Sequence, residues 1–131
     1  MAMTGLNHVA VTVSDIGVSA PWYRALLGAA PVLAEHTAGG FRHVVWAFGD
    51  GTLFGIHQHD RDIAPGEFTE FRAGLDHIGF GVASRTELQD WVDRLEALGI
   101  THGGIVDAQY GSGLSFRDPD GIALEFFAPP E

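Results

Sequence analysis

The chain contains no cysteine, which excludes a disulfide scaffold, a thiolate zinc site and a cysteine nucleophile. Any metal ion must therefore be held by His, Asp or Glu. Basic residues are scarce, with 7 Lys+Arg against 17 Asp+Glu and a formal charge of −10. Such a surface repels both a phosphate backbone and an anionic bilayer, so neither nucleic acid nor membrane is an expected partner. Long apolar runs are also missing. Stretches such as Val44–Phe48 and Ile122–Pro130 fall well short of the roughly 18 residues a membrane helix needs. Met1-Ala2-Met3-Thr4-Gly5 has no basic region and no apolar leader, so the expected location is cytoplasmic.

The 131 residues, 46% of them hydrophobic and 18% charged, suffice for one compact domain with a real core and not for two independent ones. Histidine is abundant, at 7 residues, and neutral imidazole is the commonest metal ligand.

The sequence repeats itself. Leu6-Asn7-His8-Val9-Ala10-Val11 returns 69 residues later as Leu75-Asp76-His77-Ile78-Gly79-Phe80. Each copy continues with a serine of capping type (Ser14, Ser84), a helical stretch ending in Leu-Gly (Leu27-Gly28, Leu98-Gly99) and strand-like runs closed by Asp-Gly (Asp50-Gly51, Asp120-Gly121). A repeat of this length that fills the chain is a duplicated half, since a solenoid needs three or more units. The expected organisation is one domain, 1–131, made of modules 5–60 and 74–129, each strand, helix and three strands.

In the second module Ser84 and Glu87 form a capping box, and Leu88, Trp91, Val92, Leu95 and Leu98 share one helical face before Gly99 ends the helix. The first helix is expected over 18–27, with Pro21 in its opening turn and Val18, Trp22 and Ala25 facing inward. Trp46, Phe48 and Phe54 are expected in the core or at a module interface.

Strand parity then sorts the polar residues. His8, Ala10 and Thr12 lie opposite Val9, Val11 and Val13, and His77, Gly79 and Gly81 lie opposite Ile78, Phe80 and Val82. Each histidine thus faces away from the helix, among small residues. In Ile122–Phe127 the same parity places Glu125 on that open face. An unpaired buried carboxylate costs several kcal/mol, of order 1–5, so Glu125 needs compensation. Either it pairs with an arginine such as Arg117 or meets water at an edge, or it joins His8 and His77 as ligands of a divalent metal with open positions. Such a centre acts as a Lewis acid.

These segments, with the closing Phe116-Arg117-Asp118-Pro119-Asp120-Gly121-Ile122-Ala123-Leu124-Glu125-Phe126, resemble the vicinal-oxygen-chelate superfamily, the glyoxalase, bleomycin-resistance and extradiol-dioxygenase group. The match runs from Leu6 to Phe127. The resemblance implies an α+β fold of two paired β-α-β-β-β modules forming an eight-stranded cup-shaped sheet with helices outside. It also implies one divalent metal (Zn, Fe, Mn, Co or Ni) on His8, His77 and Glu125, a small-molecule substrate chelated through adjacent oxygens, lyase or isomerase chemistry, and a homodimer whose sites can draw ligands from both chains. The alternative within the group is a metal-free sequestering protein of the bleomycin-resistance kind.

Two positions depart from the pattern. Aligning the Asp-Gly turns sets Gly55 where many members carry a fourth ligand, and Ser115 where extradiol dioxygenases carry a catalytic tyrosine. His57, on the same face as Gly55, is a candidate to ligate the metal in its place, to contact the substrate, or to do acid–base work near its ordinary pKa of about 6.5. Tyr110, between Gly103-Gly104 and Gly111-Ser112-Gly113, is a second candidate catalytic group. Ser115 and Arg117 share one strand face and are candidate substrate contacts, Arg117 for an anionic group.

Overall fold

The computed structural model describes residues 1–131 and divides them into two compact units, Met1–Pro65 and Gly66–Glu131. Both follow the expected order of elements. The first contains β1 (His8–Thr12), α1 (Ile16–Leu27), β2 (Leu33–Thr37), β3 (Phe41–Ala47) and β4 (Leu53–His59). The second contains β5 (Ile78–Gly81), α2 (Arg85–Ala97), β6 (His102–Ala108), β7 (Gly111–Arg117) and β8 (Ala123–Ala128). Each unit has its own four-stranded sheet, ordered β1-β4-β3-β2 and β5-β8-β7-β6. The first strand of each module lies parallel to its last, a pairing that requires a crossover through the helix and the two hairpin strands.

One face of each sheet is buried by its helix. Val11, Tyr23, Leu26, Trp46, Phe54 and Ile56 fill the first core, and Leu88, Leu95, Leu114, Phe116, Leu124 and Phe126 the second. Phe126 is the hub of the latter, with ring centroids 4.1 Å from Trp91 and 5.0 Å from Phe116.

Helix α1 departs from expectation in start and face. Asp15, not Ser14, is its N-cap, accepting a hydrogen bond from the Gly17 amide, so Pro21 lies inside the helix and not in its opening turn. Ser19, Tyr23 and Leu26 point inward, while Val18 is 54% exposed, Ala25 is exposed and Trp22 half-buried. The reason is the phenol ring. Tyr23 fills the space beside Phe54 and Trp46, with centroids 5.1 and 6.1 Å away, and Trp22 packs edge-on against it at 4.8 Å. Phe48 is only half-buried. Helix α2 is capped as expected: Ser84 accepts from the Glu87 amide, and Glu87 from the Ala83 amide. Leu98 is its C-cap and 40% exposed rather than inward.

The Asp-Gly turns set the last strand of each module in register. Asp118, 6% exposed, accepts from the amides of Asp120 and Ile122, and Gly121 takes the left-handed φ of 79° that the turn requires. No helix is long and apolar enough to cross a membrane.

Candidate functional site

In the second unit, parallel pairing of β5 with β8 sets Gly79 beside Glu125 and brings His77 against the glutamate. His77 Nδ1–H donates to Asp76 Oδ1 at 2.7 Å. Its Nε2 is thereby turned toward Glu125 Oε2, 3.5 Å away. The Glu125 side chain is only 19% exposed. Arg117 is engaged elsewhere: its guanidinium donates to both carboxylate oxygens of Glu70, at 2.8 and 3.1 Å, and to the Gly121 carbonyl. That arginine holds the Glu70 carboxyl down at about 2.

His77 and Glu125 border two open cavities. One, about 340 Å³, also reaches Thr101, His102, Ser115 and Arg117. The other, about 440 Å³, is bounded by Gly79, Gly81, Tyr110 and Phe127. Side chains are absent from its β5 border, and the positions where a Cβ would project from Gly79 and Gly81 are empty space. Tyr110 stands at the tip of the β6–β7 hairpin, 75% exposed, its ring nearly parallel to Phe127 at 6.2 Å. Ser115 is paired directly across the ladder with Glu125.

In the first unit His8 repeats the geometry of His77. Its Nδ1–H donates to Asn7 Oδ1 at 2.7 Å, so both histidines are anchored through Nδ1 by the residue before them. Gly55 stands between Ala10 and Val45 in the sheet, and a Cβ there would find His57 Nε2 at 3.8 Å. His57 thus faces the position Gly55 leaves open.

The surroundings of His57 change its expected protonation. Phe41 stacks on it at 4.5 Å and His43 meets it edge-on at 5.2 Å. Burial, and then the nearby imidazoles of His43, His59 and His8, push its pKa below the usual histidine value. The expectation of an ordinary imidazole is thereby corrected: at neutral pH His57 is neutral, with a lone pair available. His43 in turn donates Nε2–H to Glu35 at 2.8 Å, and His59 lies 3.3 Å from the Thr12 hydroxyl.

The structure therefore brings His77 and Glu125 together, sets Ser115 and Arg117 beside them in one cavity and Tyr110 in the other, and places His8 and His57 on the sheet of the first unit. Within each unit no three His, Asp or Glu side chains gather as a ligand set. Several contributors escaped the sequence reading. Asn7 and Asp76 were visible as the varying residue of Leu-Asn/Asp-His, but only geometry shows that they hold the rings. Phe41 and His43 become neighbours of His57 through β3–β4 register, and Glu70 comes from a segment without regular structure.

Comparison with known proteins agrees with this architecture. The model of the Glyoxalase/Bleomycin resistance protein/Dioxygenase superfamily matches residues 5–126. The chain is 30% identical to a glyoxylase/bleomycin resistance protein/dioxygenase domain from Frankia sp. EAN1pec, covering 99% of this chain and 95% of that one, with a TM-score of 0.87. A variant of the fosfomycin resistance protein FosX from Listeria monocytogenes, complexed with Mn(II) and 1S,2S-dihydroxypropylphosphonic acid, shares the fold at 18% identity, with coverages of 98% and 94% and a TM-score of 0.71. Among curated proteins, "Putative ring-cleaving dioxygenase MhqA" from Bacillus subtilis (strain 168) is 29% identical over 122 residues. That alignment covers 92% of this chain and 38% of the relative's length.

Proposed function

The chain belongs to the Glyoxalase/Bleomycin resistance protein/Dioxygenase superfamily, and from that premise we propose that it is a metal-dependent enzyme acting on a small molecule through two adjacent oxygens. The observation that carries the reading is the pairing of His77 with Glu125. A carboxylate only 19% exposed faces an imidazole nitrogen whose partner nitrogen is already tied to Asp76. One imidazole nitrogen and one carboxylate oxygen aimed at the same space suit Zn, Fe(II), Mn, Co or Ni. His8, anchored by Asn7 in the same way, is the proposed third ligand.

Bound there, the metal would supply Lewis acidity toward substrate oxygens. The chain's own residues supply the rest. His57, neutral at pH 7, accepts a proton from the substrate and returns it, the work of a lyase or isomerase base. Tyr110 closes over the glycine-bordered cavity and offers a phenolic proton. Ser115 contacts substrate beside Glu125, and Arg117 receives an anionic substituent by exchanging it for Glu70. The protein works as a homodimer, in which strand edges left unpaired in the single chain are covered.

A second reading, ring-cleaving oxygenation, is favoured by the likeness to MhqA, although Ser115 stands where those enzymes carry tyrosine. The deciding experiment strips the protein with a chelator, restores single divalent metals, and assays a panel of vicinal diols, hydroxyketones, hemithioacetals and catechols. The proposal expects turnover that vanishes on chelation and returns with metal. Tight binding of a panel member with no turnover under any metal would instead identify a sequestering protein.

A further inference from the structure

The Glu125 carboxylate, 3.5 Å from His77, leans over a residue of the neighbouring strand that has no side chain. Gly113 on β7 is half-buried and pairs with Phe127, two residues along the ladder from the Ser115–Glu125 pair. Its φ is not in the left-handed region, so the backbone there would accept any residue. A side chain there would compete with Glu125 for space. A Cβ on Gly113 would lie 2.6 Å from Glu125 Oε1 and 3.1 Å from Cδ, below any ordinary contact. The carboxylate leans diagonally across β7 and occupies the volume a side chain would take.

The duplicated first module shows the converse. Val45 pairs with Gly55 as Ser115 pairs with Glu125, and His43 pairs with His57 as Gly113 pairs with Phe127. In the module that has the glutamate, the diagonal residue is glycine. In the module that lacks it, the diagonal residue is a histidine. A Cβ at position 55 would meet Val45, the Val44 carbonyl and His57, so the first module has no carboxylate leaning across its third strand. The arrangement of Glu125 over Gly113 therefore belongs to the second module alone.

We propose that Gly113 is a positioning residue that sets the Glu125 carboxylate toward His77, and that any side chain at 113 turns this carboxylate away from it. The functional consequence rests on the reading of Glu125 as a metal ligand; the geometric one does not. Because the displaced atoms are the free end of a flexible side chain, Gly113→Ala should leave folding nearly intact and change the site alone.

The test titrates Mn(II) into chelator-stripped wild type, Gly113→Ala, Glu125→Gln and the double variant, with melting curves and a crystal structure of Gly113→Ala. Expected are a Tm within a few degrees of wild type, a carboxylate moved beyond its 3.5 Å separation from His77, and affinity reduced by about 10- to 100-fold. The double variant should bind as Glu125→Gln does, because both changes remove the same ligand. Wild-type affinity in Gly113→Ala, or losses that multiply in the double variant, would overturn the proposal. If wild type itself binds no Mn(II), the ligand reading is what fails for that metal, and the position of the carboxylate in Gly113→Ala still decides the inference. Should Gly113→Ala not fold, adding Glu125→Ala must restore folding; failure to do so assigns Gly113 a backbone role and overturns the proposal.

Discussion

Removing the Asp76 carboxylate should weaken metal binding without touching a ligand. Asp76 accepts from His77 Nδ1 at 2.7 Å, which fixes the ring and increases electron density on Nε2. A hydrogen bond to a charged acceptor is worth about 1.5–3 kcal/mol when shielded from water. Here the two side chains are 76% and 50% exposed, so solvent screening reduces the figure to about 1 kcal/mol, or about fivefold in affinity. Asp76→Ala should thus weaken Zn(II) or Mn(II) binding about fivefold. Asp76→Asn keeps an acceptor and removes the charge, for a loss of about two- to threefold. Asn7→Ala removes a neutral acceptor from His8 and should cost about twofold, at the low end of such bonds. Calorimetric titration of stripped protein resolves these steps. Equal affinity in wild type and Asp76→Ala, or a larger loss from Asn7→Ala than from Asp76→Ala, would refute the argument.

Replacing His57 with Ala should preserve metal content and melting temperature but cut turnover by about 10²–10⁴-fold. Because the His57 pKa is lowered in the folded chain, the unfolded chain binds more protons near pH 6. Its contribution to stability is therefore lost as pH falls from about 6.5 through the folded value, and denaturant titrations of wild type and His57→Gln at pH 5 and 8 should reveal a smaller acid loss in the variant. Glu70→Gln releases Arg117 and should strengthen binding of inorganic phosphate or an anionic substrate. The same change should flatten the stability profile between pH 4.5 and about 2, the span over which the depressed Glu70 carboxyl takes up its proton. Phe126→Ala empties a site 2% exposed among three rings. It should cost about 3–5 kcal/mol and lower Tm by more than about 10 °C.

The architecture was legible because duplication doubles every signal. Ser84 with Glu87 and the periodic leucines defined α2 to within a residue of its cap, and Asp-Gly turns located the closing strands of both modules. Helix α1 departs from its periodic pattern where two aromatic residues stand together: periodicity cannot tell whether Trp22 or Tyr23 enters the core, and the gap beside Trp46 and Phe54 takes Tyr23. In the site, parity alone put His77 and Glu125 on the open face. It could not supply what depends on register between strands distant in sequence. The Phe41–His57 stack, the Glu35–His43 bond and the clearance at Gly113 all arise from ladder pairing. The Arg117–Glu70 pair bridges 47 residues to a segment without periodic pattern, so no local rule could have found it.

The central claim is that His8, His77 and Glu125 hold one divalent metal. Elemental analysis of protein purified without added metal, for wild type and for His8→Ala, His77→Ala and Glu125→Ala, tests it most directly. The account predicts close to one equivalent per chain in wild type and a substantial loss in each variant. Stoichiometric metal retained in all three variants would contradict it.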